Sequence, residues 1–401
     1  MSQAFNVKAK AWVKGRKNLF QKMKQEVNSE KQHIWFHFAS LGEFEQGRPV
    51  IEKVKSDYPG YPVVITFFSP SGYELRKNYA LADHVFYLPL DTRRNASQFV
   101  DIINPKLAIF TKYEYWYHFF SELNRRSIPL IVISAIFRDD QIFFKWYGGL
   151  HRAMLRKVSR LFVQDAASIS MLENIGITHA SIGGDTRFDR VASNARQPKD
   201  FQLVREFCGS ANVLVAGSTW PEDENILSKA IERFEEWKFI IAPHEIKPDK
   251  LKAFESLLPA NTYLRYSELK ENGLPDETKK WRILIIDNIG MLSSLYQYGQ
   301  IAYIGGGFGV GIHNTLEAAA FGLPIIFGPN YKRFLEAKML IAENAAFSIK
   351  NKDELLEVLN KLKEIDFRRE SGNAAKKLVL NNTGATEAIF SYLDEYVFKR
   401  R

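Results

Sequence analysis

A regular alternation of short apolar runs with helix-patterned stretches constrains this chain more than any other feature. IWFHFA, YPVVITFF, HVFYLPL, KLAIFT, PLIVISAI and RLFVQD occupy the first half; NVLVAGST, WKFIIAPH, RILIIDN, IAYIGGG and LPIIFGP follow in the second. Runs this short and uniformly apolar read as strands buried on both faces, and strand-then-helix alternation predicts parallel sheets covered by helices on each side. Between the halves, VASNARQPKDFQ is polar and carries a proline. We read residues 191–202 as a linker between two similar α/β domains, 1–190 and 203–385. With 401 residues, 46% of them hydrophobic, the chain can fill two cores.

The single cysteine, Cys208, excludes a disulfide framework and any multi-cysteine metal site, and fits a reducing compartment. LIVISAIF, from Leu130, is the longest apolar run and falls far short of the roughly 20 residues that span a bilayer. The amino terminus intersperses Lys8, Lys10, Lys14, Arg16 and Lys17 with apolar residues, which is not a signal-peptide pattern. No histidine, cysteine or carboxylate spacing resembles a zinc site and no G-x-S-x-G elbow occurs, so neither a metal nor a cofactor is expected. A formal charge of +9 favours an anionic partner. Nucleic-acid signatures are lacking, whereas VKAKAWVKGRKNLFQKMK mixes Trp12, Val13, Phe20 and Met23 with its cations. That mixture suits a segment lying on an anionic membrane, and equally a solvated basic helix.

In open α/β sheets, ligands bind beyond the carboxyl ends of the strands, so the residues after each run are the candidates. Glu43 follows the first run, Ser69, Ser71 and Gly72 the second, Asp91 the third, and Lys112 and Glu114 the fourth. In the second half these places belong to Ser218 and Thr219, Pro243 and His244, Asp287, and Gly305, Gly306 and Gly307. Ser40 and Glu43 have the spacing of a capping box, worth about 1 kcal/mol. Read alone, the stretch favours that structural role for Glu43 over the role of general base. In YIGGGFGVGIHNTLEAAAFG a glycine-rich loop precedes a helix that we expect to begin at Asn314; such backbone offers free N–H groups to a phosphate. Glu317, one turn on, suits either the two hydroxyls of a ribose or a cap with Asn314. His313 reads first as a loop histidine, and His244 as a hydrogen-bonded structural residue rather than a catalytic one. The aromatic set Tyr113, Tyr115, Trp116, Tyr117, Phe119 and Phe120 exceeds the needs of one helix face, so part of it is expected to meet lipid or membrane.

Taken in order, HFASLGE, ITFFSPSG, YLPLD, KYEYW, GGDTRFD, AGST, APH, DNIG and GGGFGVGIHNTLEAAAFGLPIIFGP resemble the 3-deoxy-D-manno-octulosonic acid (Kdo) transferases of lipopolysaccharide synthesis. The resemblance spans roughly residues 35–340. It implies a GT-B fold, two Rossmann-like doubly wound parallel-sheet domains facing a central cleft, with a carboxy-terminal helix over 386–401 packing back on the first domain. It also implies CMP-Kdo as donor and a lipid A precursor (lipid IVA) as acceptor. Transfer would be metal-independent and inverting, at the cytoplasmic face of the inner membrane.

Carried over by position, Glu43 is the general base. Ser218, Thr219, Pro243, His244, Gly305 to Gly307, His313 and Asn314 embrace the donor, and Glu317 holds the ribose. Ser40, Gly42, Ser69, Ser71, Gly72, Lys112 and Glu114 line the acceptor side. The chain departs from the family where Lys112 replaces an acid, where Ile136 interrupts N-A-R-L-S, and where His244 follows Pro243 without the family's arginine. Two alternatives stand beside this reading: a GT-B transferase or epimerase using a UDP or GDP donor, and a non-enzymatic basic binding protein.

Overall fold

The structure, a computed structural model, describes residues 2–275 and 280–398. Two compact units divide the chain: residues 1–189 with 382–401, and residues 190–381.

The first unit is built on seven strands, β1 (His33–Phe38), β2 (Val63–Phe67), β3 (His84–Tyr87), β4 (Pro105–Thr111), β5 (Leu130–Ala135), β6 (Arg160–Val163) and β7 (Ala180–Ile182). Their order is β3-β2-β1-β4-β5-β6-β7, and every pairing is parallel. Alternation along each strand sends neighbours to opposite faces. Ile34, Phe36, Leu107, Ile109, Ile131 and Ile133 enter one core, with Phe44, Val50 and Val54 of the helix Leu41–Asp57. Trp35, Ala108, Phe110, Leu130 and Val132 enter the other, with Phe99, Phe119 and Leu123. This two-sided burial is why the strands read as unbroken apolar runs.

The second unit repeats the plan with β8 (Val213–Thr219), β9 (Lys238–Pro243), β10 (Tyr263–Arg265), β11 (Ile283–Ile285), β12 (Ile301–Ile304), β13 (Ile325–Phe327) and β14 (Ala346–Ser348), ordered β10-β11-β9-β8-β12-β13-β14. All of its pairings are parallel as well.

β7, β10 and β14 did not stand out as apolar runs. Each is a three-residue strand at the edge of its sheet, only partly buried, and edge strands need no continuous apolar sequence. The polar stretch 191–202 is largely helical, since the helix Thr186–Arg196 runs into it and the helix Gln202–Cys208 starts at its end. The unit boundary falls at Asp189.

The helix Ala385–Tyr392 and the turn after it belong to the first unit. Ile389, Phe390 and Leu393 join the core of Phe36 and Ile65, and Phe398 stacks on Tyr58 with ring centres 3.8 Å apart. Asp189 anchors the segment by accepting bonds from the N–H groups of Gly384 (2.5 Å) and Thr386 (2.7 Å) and from the Thr386 hydroxyl (2.8 Å). Residues 399–401 lie outside the described residues.

Each sheet has one place where adjacent strands lead their chains off in opposite directions: β1 beside β4, and β8 beside β12. A crevice opens beyond the carboxyl ends of such a pair, and the chemistry-bearing residues gather at these two places.

Candidate active site

In the first unit, Glu43 lies in the first turn of the helix that follows β1. Its carboxylate turns back toward the strand end, where Oε2 accepts the Ala39 N–H at 2.5 Å. Ser40 flanks the helix without giving it a side-chain cap, so the expected reciprocal capping box is only half formed. Burial pushes the Glu43 carboxyl up to about 7, and the charge of Glu114 adds to the rise. The N–H groups of Ala39 and Ser40 and the charge of Lys112 oppose it. Glu45, the nearest rival carboxylate, is paired with Arg76 at 3.0 Å.

Glu114 follows β4, after Lys112 has ended the strand in the left-handed region at φ 56°. Its Oε2 receives Trp116 Nε1–H at 3.0 Å and lies 3.1 Å from His37 Nε2. His37 is fully buried in β1, and its Nδ1 sits 2.9 Å from Thr66 Oγ1. It was hidden inside an apolar run. Asp185, also fixed here without having been singled out, accepts from Gln46 Nε2 at 3.0 Å and from Arg187 Nη2 at 2.8 Å. Burial works against its charge, but Arg187 holds it below the usual carboxylate range.

In the second unit, Ser218, the penultimate residue of β8, lies in the left-handed region at φ 55°. A Cβ on Gly305 would lie 2.2 Å from the Ser218 carbonyl oxygen, so the two strand ends approach backbone to backbone. Gly305→Ala is therefore expected to lower stability by about 1–3 kcal/mol, read as a lower urea midpoint. The Thr219 hydroxyl donates to Glu224 Oε1 at 3.1 Å, and burial pushes the Glu224 carboxyl up to about 7. Asp223 is the clamp of this region. It accepts the Trp220 N–H (2.9 Å), the Gly306 N–H (2.8 Å) and the Tyr303 hydroxyl (2.8 Å), tying the β8 turn to the glycine loop.

The loop differs from its sequence reading. The N–H of Gly305 bonds to Gly217, that of Gly306 to Asp223, and those of Gly309 and Gly311 to Gly306, so these four are not free for a phosphate. The helix begins at Leu316, two residues later than expected, and is only five residues long. Asn314 Oδ1 accepts the Leu316 N–H at 3.1 Å. Glu317 is raised by burial, with Arg190 and Asn314 pulling it back. His244, which follows Pro243 at the end of β9, is stacked between Trp220 (4.5 Å) and His313 (4.7 Å). Trp220 Nε1–H donates to His313 Nε2 at 3.1 Å, which places the His313 proton on Nδ1. Burial, then His244, push the His313 ring down to about 4, so it is neutral at pH 7.

Several residues named from the sequence have structural duties. Gly72 is buried where a Cβ would meet the Phe67 ring at 2.4 Å, and Ser69 Oγ bonds Ser71 Oγ at 2.9 Å. Asp91 accepts the N–H groups of His118 and Phe119, capping the helix Tyr117–Arg125. Asp287 caps the helix Tyr266–Asn272 through the Ser267 N–H. Phe119 and Phe120 are core residues, whereas Tyr113 and Tyr117 are exposed. Gly42 is exposed, and a Cβ there would meet only Ser40 Oγ at 3.9 Å, so packing does not demand a glycine. Among the described residues no group of three or more metal-type ligands converges, and no helix is long and apolar enough to cross a membrane.

Residues 14–190 match the family described as 3-deoxy-D-manno-octulosonic-acid transferase (kdotransferase). The 3-deoxy-D-manno-octulosonic acid transferase of Haemophilus influenzae is 26% identical over 381 residues, covering 91% of this chain and 87% of that protein. Over those residues the chain is similar to the Kdo transferases. A second relative of this chain, a bifunctional glycosyltransferase/methyltransferase of Fusobacterium nucleatum, is 26% identical over 342 residues. This chain spans about half of that protein, 52% of its length, while 82% of this chain is covered. Among solved structures, the UDP-GlcNAc 2-epimerase of Neisseria meningitidis bound to UDP-GlcNAc superposes with a TM-score of 0.64 at 15% identity, covering 91% of this chain and all of that one. With its two doubly wound sheets, this chain has the GT-B fold.

Proposed function

We propose that this protein transfers Kdo from CMP-Kdo to a lipid A precursor such as lipid IVA, with inversion and without a metal. The observation that carries the mechanism is the Glu43 carboxyl, held beside Glu114 beyond β1 and raised to about 7. A sugar hydroxyl is a poor nucleophile at neutral pH. A positioned carboxylate that accepts its proton as it attacks the anomeric carbon contributes about 10²–10⁴-fold. The C–O bond to Kdo forms, the bond from Kdo to the CMP phosphate breaks, and the phosphate leaves with its electron pair. Since that leaving group already carries charge, one carboxylate suffices, unlike the pair a glycosidase uses. The open space at Gly42 supports an acceptor passing beside Glu43.

Ser218, the glycine turn clamped by Asp223, neutral His313, Asn314 and Glu317 form the proposed donor side in the second unit. The proposed attachment is to the cytoplasmic face of the inner membrane. Its support is a groove of about 830 Å³ along the amino-terminal helix, lined by Trp12, Val13, Phe20 and Leu90 and rimmed by Lys10 and Lys14. Val13 there is 63% exposed, and cations beside exposed apolar groups suit an anionic lipid surface. Arg16 secures this segment to the carboxyl ends of β2 and β3, donating to Phe68 O at 3.0 Å and Leu88 O at 2.8 Å.

Purified protein offered CMP-Kdo, UDP-GlcNAc and a GDP-sugar with lipid IVA should release CMP alone. Release of UDP or GDP, or acceptor-independent conversion of UDP-GlcNAc, would replace this reading. The pH dependence has a definite sign. Glu43 works as the carboxylate, so kcat/KM should fall as pH drops through about 7, measured with saturating donor and limiting acceptor.

A further inference from the structure

We propose that His37 is a positioning residue for the carboxylate pair: backed by Thr66, it fixes Glu114 in the place from which Glu114 acts on Glu43. This rests on the assignment of Glu43 as base.

His37 has no exposed surface and is bonded at both ring nitrogens. Thr66 Oγ1, 2.9 Å from Nδ1, is itself fixed by Trp35 Nε1–H at 2.8 Å. The imidazole therefore has a set orientation, as Trp35 and Thr66 are also fully buried. On its other side Nε2 lies 3.1 Å from Glu114 Oε2. Two lone pairs do not face each other at that distance in a buried site, so a proton lies between these atoms. Trp116 Nε1–H reaches the same oxygen at 3.0 Å. With that proton on Nε2, two donors meet at one Glu114 oxygen and restrain the carboxylate.

The groups acting on Glu43 are Glu114, Lys112, the neighbouring Tyr113 and the N–H groups of Ala39 and Ser40. Among them Glu114 is the one negative charge, and its place depends on His37. A histidine that served packing alone would not require the proton-bearing nitrogen to point at this carboxylate.

The test pairs His37→Asn with His37→Gln in the full-length protein. Gln carries its amide nitrogen close to the position of Nε2 and keeps a donor toward Glu114, whereas Asn reaches only toward Thr66. For His37→Asn we expect kcat to fall at least about tenfold, KM for CMP-Kdo to stay within about twofold, and the acid limb of kcat/KM to move to lower pH. His37→Gln should restore the parent's limb. Adding Glu114→Gln to His37→Asn should cost nothing more, as expected when one residue acts through the other. Carbon-13 NMR titration of Glu43 reads the same shift without turnover. A parent protein that uses no donor would defeat the functional reading yet leave this titration measurable. The proposal is overturned if Glu43 titrates identically in parent and His37→Asn, if the two losses add, or if His37→Gln loses the raised titration. That last comparison also decides the matter if His37→Asn does not fold.

Discussion

Glu43→Gln is expected to lower kcat by about 10²–10⁴-fold while leaving CMP binding unchanged, because it removes the proton acceptor and keeps the shape. The same substitution has a distinctive stability signature. The folded-state value of Glu43, about 7, lies above its ordinary value. The folded protein therefore binds this proton more tightly than the unfolded chain. Across the window from about 4.5 to about 7 this group's contribution to stability falls as pH rises, and above it the charged carboxylate is a net cost. Glu43→Gln should thus be at least as stable as the parent at pH 8. A residue serving only as a helix cap would behave in the opposite way, losing about 1 kcal/mol and little rate. Urea denaturation at pH 8 together with single-turnover kinetics separates the two.

Asp223→Ala carries the largest expected loss of stability. Its carboxylate is fully buried and accepts three donors, from Trp220, Tyr303 and Gly306. Removing it strands all three, at a cost on the order of 3 kcal/mol or more. The glycine turn would lose its tie to the β8 loop, so CMP binding should weaken as well. Asp223→Asn should be far milder. The amide oxygen can keep the two N–H groups of Trp220 and Gly306, and the Tyr303 hydroxyl can reverse and accept from the amide nitrogen. Denaturation midpoints and calorimetric titration with CMP measure both effects. Equal losses in the two variants would mean that charge, rather than acceptor geometry, holds the turn.

The sheets were legible because parallel strands covered on both faces must be apolar at every position, and their carboxyl ends located Glu43, Glu114, Ser218 and the glycines. What escaped notice did so for physical reasons. The edge strands β7, β10 and β14 bury too little surface to leave a pattern. His37 looked like one polar letter in an apolar run, because its partners Thr66, in β2, and Glu114, after β4, are distant in sequence and only the fold unites them. Nothing local to Asp223 indicates that Gly306, 83 residues on, needs an acceptor. The glycine loop was overread. Glycines mark close backbone approach, as at Gly305, but not which N–H groups stay unbonded.

The central claim is transfer of Kdo itself, and the most direct measurement is the mass of the lipid product. Incubating the protein with a tetraacylated lipid A precursor and a CMP-Kdo-generating system should give lipid heavier by one or more whole Kdo residues, and Glu43→Gln should leave it unmodified. Unchanged lipid with the parent protein, or equal product with Glu43→Gln, would contradict this account.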